Sequence, residues 1–347
     1  MVRVMSPRAA RSVTDSRAAE GRALKARLRT TLRTRWGGAG RRSCVLVLGN
    51  GLNLQAARVA GTPKDDWNRA LEALWKEAGG SPGDFNHSDS NALKWTALLQ
   101  QYARAARRTP AGVERLLRAS LARRLARMKV AGAGRSLYSA VLAAGFANIV
   151  SFNIDRRLVQ GVRASQLVEG ELRRSFLSRH LRVRRRDGDE TSIWFPYGCA
   201  TDPHSIAVGH AGYAERLMHL EDYREGAMKR WYDWDASYSG YELRPPNEVY
   251  WSMQAGVASW YDLFFVAPLV FVGASLPSDD WPLWWLLHQR ARNFAPFERR
   301  DCPETFFLTS RSAAADHAHL LGGPGGIESV TFASYDSLWR FLLDAFK

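Results

Sequence analysis

The chain has 347 residues, 46% of them hydrophobic, with 49 Lys+Arg against 34 Asp+Glu and a formal net charge of +15. That length and apolar content support a full buried core, as one large domain or one domain with an insertion. No apolar run reaches the roughly 18–20 residues a membrane span requires, so a soluble, cytoplasmic protein is expected. The three cysteines, Cys44, Cys199 and Cys302, are dispersed with no C-x-x-C pair, which argues against a disulfide framework and a four-cysteine zinc site, and no metal is expected.

The basicity is local. Residues 1–42 hold twelve Lys/Arg against only Asp15 and Glu20, so ten of the fifteen surplus charges lie there and the remainder of the chain is near ordinary. Residues 1–43 therefore read as a basic N-terminal extension. It is either a solvated tail, including one left by an over-long assigned start, or an arm for a nucleic-acid or other acidic partner. Its Arg- and Ser-rich, acid-poor character also resembles an organellar transit peptide.

The first strand is Val45-Leu46-Val47-Leu48, four aliphatic residues closed by Gly49-Asn50-Gly51. Such a run reads as a buried parallel strand, and the glycines let backbone come close to a ligand. Backbone N–H groups in that turn, feeding a helix N-terminus, form the kind of concave anion site that holds nucleotide phosphates. The third glycine of G-x-G-x-x-G is missing, with Gln55, Ala56 and Ala57 in its place, so an ordinary strand-to-helix turn is the alternative.

Residues 66–78 then place Trp67, Ala70, Leu71, Leu74 and Trp75 at helical spacing. Helices follow over 92–102 and 112–128, the second with a basic face of Arg115, Arg118, Arg123, Arg124 and Arg127. Together these form a helical insert over about 60–132. A helix over 136–144 stops at Gly145, and a short strand over 146–152 closes in Asn153-Ile154-Asp155. Further strands are predicted at 191–196, 269–272 and 305–308, with a terminal helix over 335–346. This alternation implies an α/β fold: right-handed crossovers, a Rossmann-like parallel sheet with helices on both faces, and ligands at the carboxyl ends of the strands. Between about 212 and 262 the chain is dense in aromatics, including Tyr213, Tyr223, Trp231, Tyr232, Trp234, Tyr238, Tyr241, Tyr250, Trp251 and Trp260. That density reads as a packed helical subdomain with a loop over 237–247, or as a pocket lining or oligomer interface. Trp281, Trp284 and Trp285 read as core at helical spacing.

Four strand-end segments stand in one order: Gly49-Asn50-Gly51-Leu52-Asn53, Ser151-Phe152-Asn153-Ile154-Asp155, Pro196-Tyr197-Gly198 and Val272-Gly273-Ala274-Ser275-Leu276. The order resembles the sirtuin (SIR2) superfamily pattern G-A-G-x-S, T-x-N-[IY]-D, H-G, G-x-S-L over about residues 44–347. In particular it resembles the divergent bacterial SIR2-like proteins, many of them NAD-consuming effectors in anti-phage defence. The acidic start and Leu-rich body of residues 278–287 also look like the helix after the last motif. The resemblance implies a sirtuin-like fold without a zinc module, with NAD as substrate or ligand.

It further implies that Gly49, Asn50, Gly51 and Gly273 pack against the dinucleotide, with Asn53 near the ribose and Ser275 beside the adenosine half. Asn153 would align the attacking water and Asp155 would recognise the carboxamide. Cleaving an N-glycosidic bond develops oxocarbenium character, which fixed dipoles around the ribose stabilise. The departure from the pattern is Tyr197, where the family has its general-base histidine. A tyrosine with an ordinary pKa near 10 is a poor base at neutral pH, though it can orient a ribose hydroxyl. His204, His210 and His219 are candidates to replace it in space, against a plain surface role. Two functions are therefore expected: an NAD+ glycohydrolase releasing nicotinamide and ADP-ribose, or an impaired module that binds NAD or ADP-ribose as a sensor or assembly element. Self-association is compatible with both.

Overall fold

Val45–Leu48 and Leu269–Val272 carry no polar side chain, the composition that a strand covered on both faces requires. A computed structural model describes residues 7–35, 42–63, 67–130, 132–168, 176–231, 259–277, 279–295, 297–310 and 326–347. In it these two strands, β1 (Val45–Leu48) and β6 (Leu269–Val272), pair in parallel at the centre of an eight-stranded sheet. Beside β1 lie β2 (Asn148–Ser151) and β5 (Glu190–Trp194), and beside β6 lie β7 (Thr305–Ser310) and β8 (Glu328–Phe332), all parallel. A hairpin of β3 (Leu167–Val168) and β4 (His180–Arg184) extends the β5 edge antiparallel.

Along the chain the six parallel strands take the spatial order 3-2-1-4-5-6, the Rossmann arrangement, whose order reverses between β1 and β6. At that reversal the crossovers leave toward opposite faces, and a crevice opens at the carboxyl ends of the strands.

Alternation along each strand divides the core. Leu46, Leu48, Ile149, Val270 and Val272 meet α1 (Pro7–Arg33), α2 (Gly51–Val59), α6 (Gly132–Ala143) and α10 (Tyr335–Ala345). Val45, Val47, Val150, Leu269 and Phe271 meet α7 (Gly209–Trp231), α8 (Trp260–Val266) and α9 (Trp281–Phe294). The insert is α3 (Trp67–Glu77), α4 (Asn91–Ala106) and α5 (Pro110–Arg127). The Ser90 and Thr109 side chains cap the last two by accepting the N–H groups of Leu93 and Gly112. Its apolar faces form a third core with Ile154, Tyr197 and Ala207, so the insert roofs the carboxyl end of the sheet.

The N-terminal extension departs from its expected form. The second half of α1 packs on the sheet, with Leu28 and Leu32 fully buried. Arg27 pairs with Glu328 at 2.9 Å and Glu304 at 2.5 Å. Arg42 is buried and donates to the carbonyls of Ala144, Leu32 and Phe346, tying α1, α6 and α10 together. This segment is structural because its leucines, set four apart, outweigh the charge around them.

Two of the arginines on α5 are engaged locally, Arg118 with Glu114 and Arg124 with Glu77. Trp281, expected in the core, is 45% exposed at the start of α9, where its ring lies tilted against His210. Of the aromatic-rich region, Tyr223, Trp260 and Tyr261 pack against the second core. The loop at 237–247 and Tyr232, Trp234, Tyr238, Tyr241, Tyr250 and Trp251 lie outside the described residues. Among the described residues no helix is long and apolar enough to cross a membrane.

Candidate functional site

The turns ending β1 and β6 touch backbone to backbone. The Gly51 N–H donates to the Gly273 carbonyl at 2.8 Å, and Gly273 sits at φ +64°. A Cβ on Gly49 would stand 2.5 Å from Ala274 Cα, and one on Gly51 would stand 2.5 Å from Gly273 Cα. Three of the glycines expected at the ligand are thus demanded first by each other. Their close approach narrows the floor of the crevice and leaves the N–H groups of Asn50, Ala274 and Ser275 without an acceptor among the described residues. Backbone N–H groups at strand ends can contribute to an anion-binding concavity.

Above that floor lies a pocket whose enclosed volume is about 150 Å³. Gly49, Asn50, Asn153, Asp155, Tyr197 and Ser275, six of the residues expected from sequence, line it. Gly51, Asn53 and Gly273 do not, and lie behind its wall. Asn53 is buried, its amide donating to Asp155 at 2.9 Å and Asn50 at 3.0 Å while its carbonyl accepts the Tyr138 hydroxyl at 2.6 Å. Asn53 therefore positions Asn50 and Asp155 rather than facing the cavity. Burial raises the Tyr138 phenol, which stays a donor. Asp155 is held from its other side by the N–H of Arg157 at 2.9 Å and by its guanidinium at 3.2 Å. Asn153 donates from its side-chain amide to the Gly49 carbonyl at 3.1 Å, which joins the ends of β1 and β2.

Tyr197 is the most constrained side chain of the pocket. It is 8% exposed, stacked on Phe152 at 5.4 Å and set against Tyr213 at 5.5 Å. The following Gly198, at φ +94°, turns the chain beneath the Ser205 carbonyl, where a side chain has no room. The Tyr197 hydroxyl donates to the carboxylate of Asp280, the N-cap of α9, which also accepts the N–H of Leu283 at 3.3 Å. Burial, and then the Asp280 charge, drive the Tyr197 phenol well above its ordinary value. Burial likewise pushes the Asp280 carboxyl up to about 6, against the pull of its two donors. Tyr213 is raised by burial and by Asp280. Burial lowers the nearby Arg216 guanidinium to about 10.

Leu276, on the rim of the β6 turn, holds φ +46° although it is not glycine. Such a backbone stores of order 1–3 kcal/mol of strain and is held only by its surroundings. Trp67 of the insert lines the opposite wall, and its buried indole N–H has no acceptor among the described residues. His204, His210 and His219 do not line the pocket; His204 and His219 are exposed and His210 lies against the Trp281 ring.

Sequence reasoning overlooked Tyr138, Arg157 and Asp280. Only Asp280 left a signal, an Asp immediately before Trp281-Pro282, which marks a helix start. No protein-family model matches this chain, and no curated protein matches it.

Proposed function

We propose that the pocket binds a nicotinamide dinucleotide and that the protein is an NAD+ glycohydrolase, releasing nicotinamide and ADP-ribose. The observation that carries this reading is the meeting of two features at the switch point of the sheet. N–H groups of Asn50, Ala274 and Ser275 with no acceptor among the described residues lie on one side, and the Asn153 amide and Asp155 carboxylate on the other, around one cavity. The first set suits a diphosphate; the second suits a polar ring and its ribose. In this reading Asn153 hydrogen-bonds the ribose beside the departing base and aligns water on C1′. Asp155, immobilised by Asn53 and Arg157, accepts the carboxamide N–H. Fixed dipoles of this kind stabilise charge developing on the ribose without reorganising during the reaction.

The test is incubation of the purified protein with NAD+ and measurement of released nicotinamide. Turnover that survives in Asn153→Ala would remove Asn153 from the reaction and with it the assigned site. A second reading, a module that binds NAD or ADP-ribose without turnover, is favoured by the raised phenol of Tyr197, which by itself is no base at neutral pH. Calorimetry that finds NAD+ binding with no release, together with hydrolysis gained in Tyr197→His, would decide for it. A role in anti-phage defence belongs to the same proposal and is tested by phage challenge of cells carrying the wild-type or Asn153→Ala gene.

A further inference from the structure

Among the described residues, the pocket wall carries two carboxylates: Asp155 is paired with Arg157, whereas Asp280 is joined to the phenol of Tyr197. We infer that Tyr197 and Asp280 act as a proton-accepting dyad, in which Asp280 takes up, through the Tyr197 hydroxyl, the proton released when water attacks the substrate. This inference deepens the glycohydrolase reading and rests on it.

Three observations carry it. Both side chains line the same cavity as Asn153, and the Tyr197 hydroxyl donates directly to the Asp280 carboxylate. The phenol is locked between Phe152 and Tyr213, so its oxygen has one address. Helix capping does not explain the residue at 280: asparagine caps a helix as well as aspartate, yet here a charge is kept at 6% exposure. A buried ionisable group on a cavity wall, where a neutral one would serve as the cap, is a candidate for a chemical role.

The electrostatics agree. A carboxylate raised to about 6 is mostly ionised at neutral pH yet basic enough to accept a proton in a transition state. The groups facing the pair are Tyr213 and Arg216 from α7 and Asp279 from the preceding turn. From the insert the lining residues are uncharged, Trp67, Asn91, Leu125 and Met128, and across the cavity Asp155 and Arg157 pair with each other at 3.2 Å.

The step balances without a co-reactant. The water oxygen forms its bond to C1′ as the C1′–N bond breaks, and that bond's electron pair neutralises the pyridinium nitrogen of the leaving nicotinamide. The proton shed by the water passes to the Tyr197 oxygen while the proton of Tyr197 passes to Asp280. The protonated Asp280 later returns it to solvent. Nothing is oxidised or reduced.

The experiment measures nicotinamide release from NAD+ between about pH 5 and 9 for the full chain and for Asp280→Asn, Asp280→Glu and Tyr197→Phe, with NAD+ affinity by calorimetry and a thermal melt for each. Wild-type kcat is expected to rise with pH and level off above about 6. Asp280→Asn and Tyr197→Phe should lose about 10²–10⁴-fold in kcat with NAD+ affinity within a few-fold of wild type, and the acid limb should vanish in Asp280→Asn. Asp280→Glu should restore part of the rate with a displaced limb, which a purely structural cap would not do. Variants that keep wild-type turnover and the same limb overturn the dyad and leave the glycohydrolase reading standing. If the wild type binds NAD+ but releases no nicotinamide at any pH, the glycohydrolase reading fails and the dyad falls with it. Should Asp280→Asn not fold, Tyr197→Phe, which removes one oxygen and keeps the ring stack, decides by the same outcomes.

Discussion

Replacing Asp280 with asparagine should make the protein more stable at neutral pH while impairing its site. The carboxyl is 6% exposed and lies at about 6 against an ordinary 3.8. At 1.36 kcal/mol per pH unit, ionising it inside the fold therefore costs about 3 kcal/mol more than in the unfolded chain. A carboxyl raised on folding holds its proton more tightly in the folded state. Its contribution is accordingly most favourable below about pH 4, is lost as pH rises to about 6, and stays lost above. Asparagine keeps the shape, can cap α9 and can accept the Tyr197 hydroxyl, with about 1 kcal/mol lost to an amide N–H facing the pocket.

The expected gain near pH 8 is thus about 2 kcal/mol. With roughly 2.1 cal/mol/K of unfolding entropy per residue, that is about 3 °C in a chain of 347 residues. Below about pH 4 the gain should give way to a loss of about 1 kcal/mol, since only the amide cost remains. Scanning calorimetry and urea unfolding of both proteins near pH 8 and near pH 4 provide the check. An Asp280→Asn protein that is less stable near pH 8, or that differs from wild type equally at both pH values, would refute the claim that Asp280 is a buried, strained charge.

Gly51→Ala should destabilise by at least 1–3 kcal/mol, because its Cβ meets the Gly273 backbone rather than a side chain able to move; urea midpoints measure it. Tyr138→Phe should lose about 1–3 kcal/mol, since the buried Asn53 carbonyl forfeits its donor; urea unfolding measures it. Arg27→Ala should lower stability by about 1 kcal/mol, less at high salt, as its partly exposed pairs with Glu304 and Glu328 are broken; melts at two ionic strengths separate the effect. Deleting residues 1–34 should lower stability far more than a tail would. Leu28 and Leu32 are fully buried, at about 1.5–3 kcal/mol each, and expression with thermal melting would show it.

Much of the sheet was legible because a strand covered on both faces must be apolar throughout, and such runs stand out at Val45–Leu48, Leu269–Val272 and in Thr305–Ser310. The β3–β4 hairpin and β8 were not, since they lie toward the edges of the sheet, where exposed positions interrupt the apolar pattern. Charge hid α1: the surrounding arginines masked Leu24, Leu28 and Leu32, whose spacing of four is the helical signal that places them on the sheet. At the site, strand-end position pointed to Asn153 and Asp155, the motif order added Tyr197 and Ser275, and all four line the pocket. It did not separate residues that face the cavity from those that build its wall, because that depends on which side of a turn a neighbouring turn occupies. Asn53 and Gly51 are the examples, one beneath Asp155 and the other against Gly273.

By itself the sequence determined the α/β class and the strands that end in glycine and asparagine turns, since local composition and period are enough for these. Only the tertiary structure decided that β1 and β6 adjoin at the reversal of strand order, that α1 belongs to the core, and that Asp280 meets Tyr197 across 83 positions of chain. The physical reason is that burial, and the shift in a carboxyl's proton affinity that follows from it, are properties of packing between distant segments.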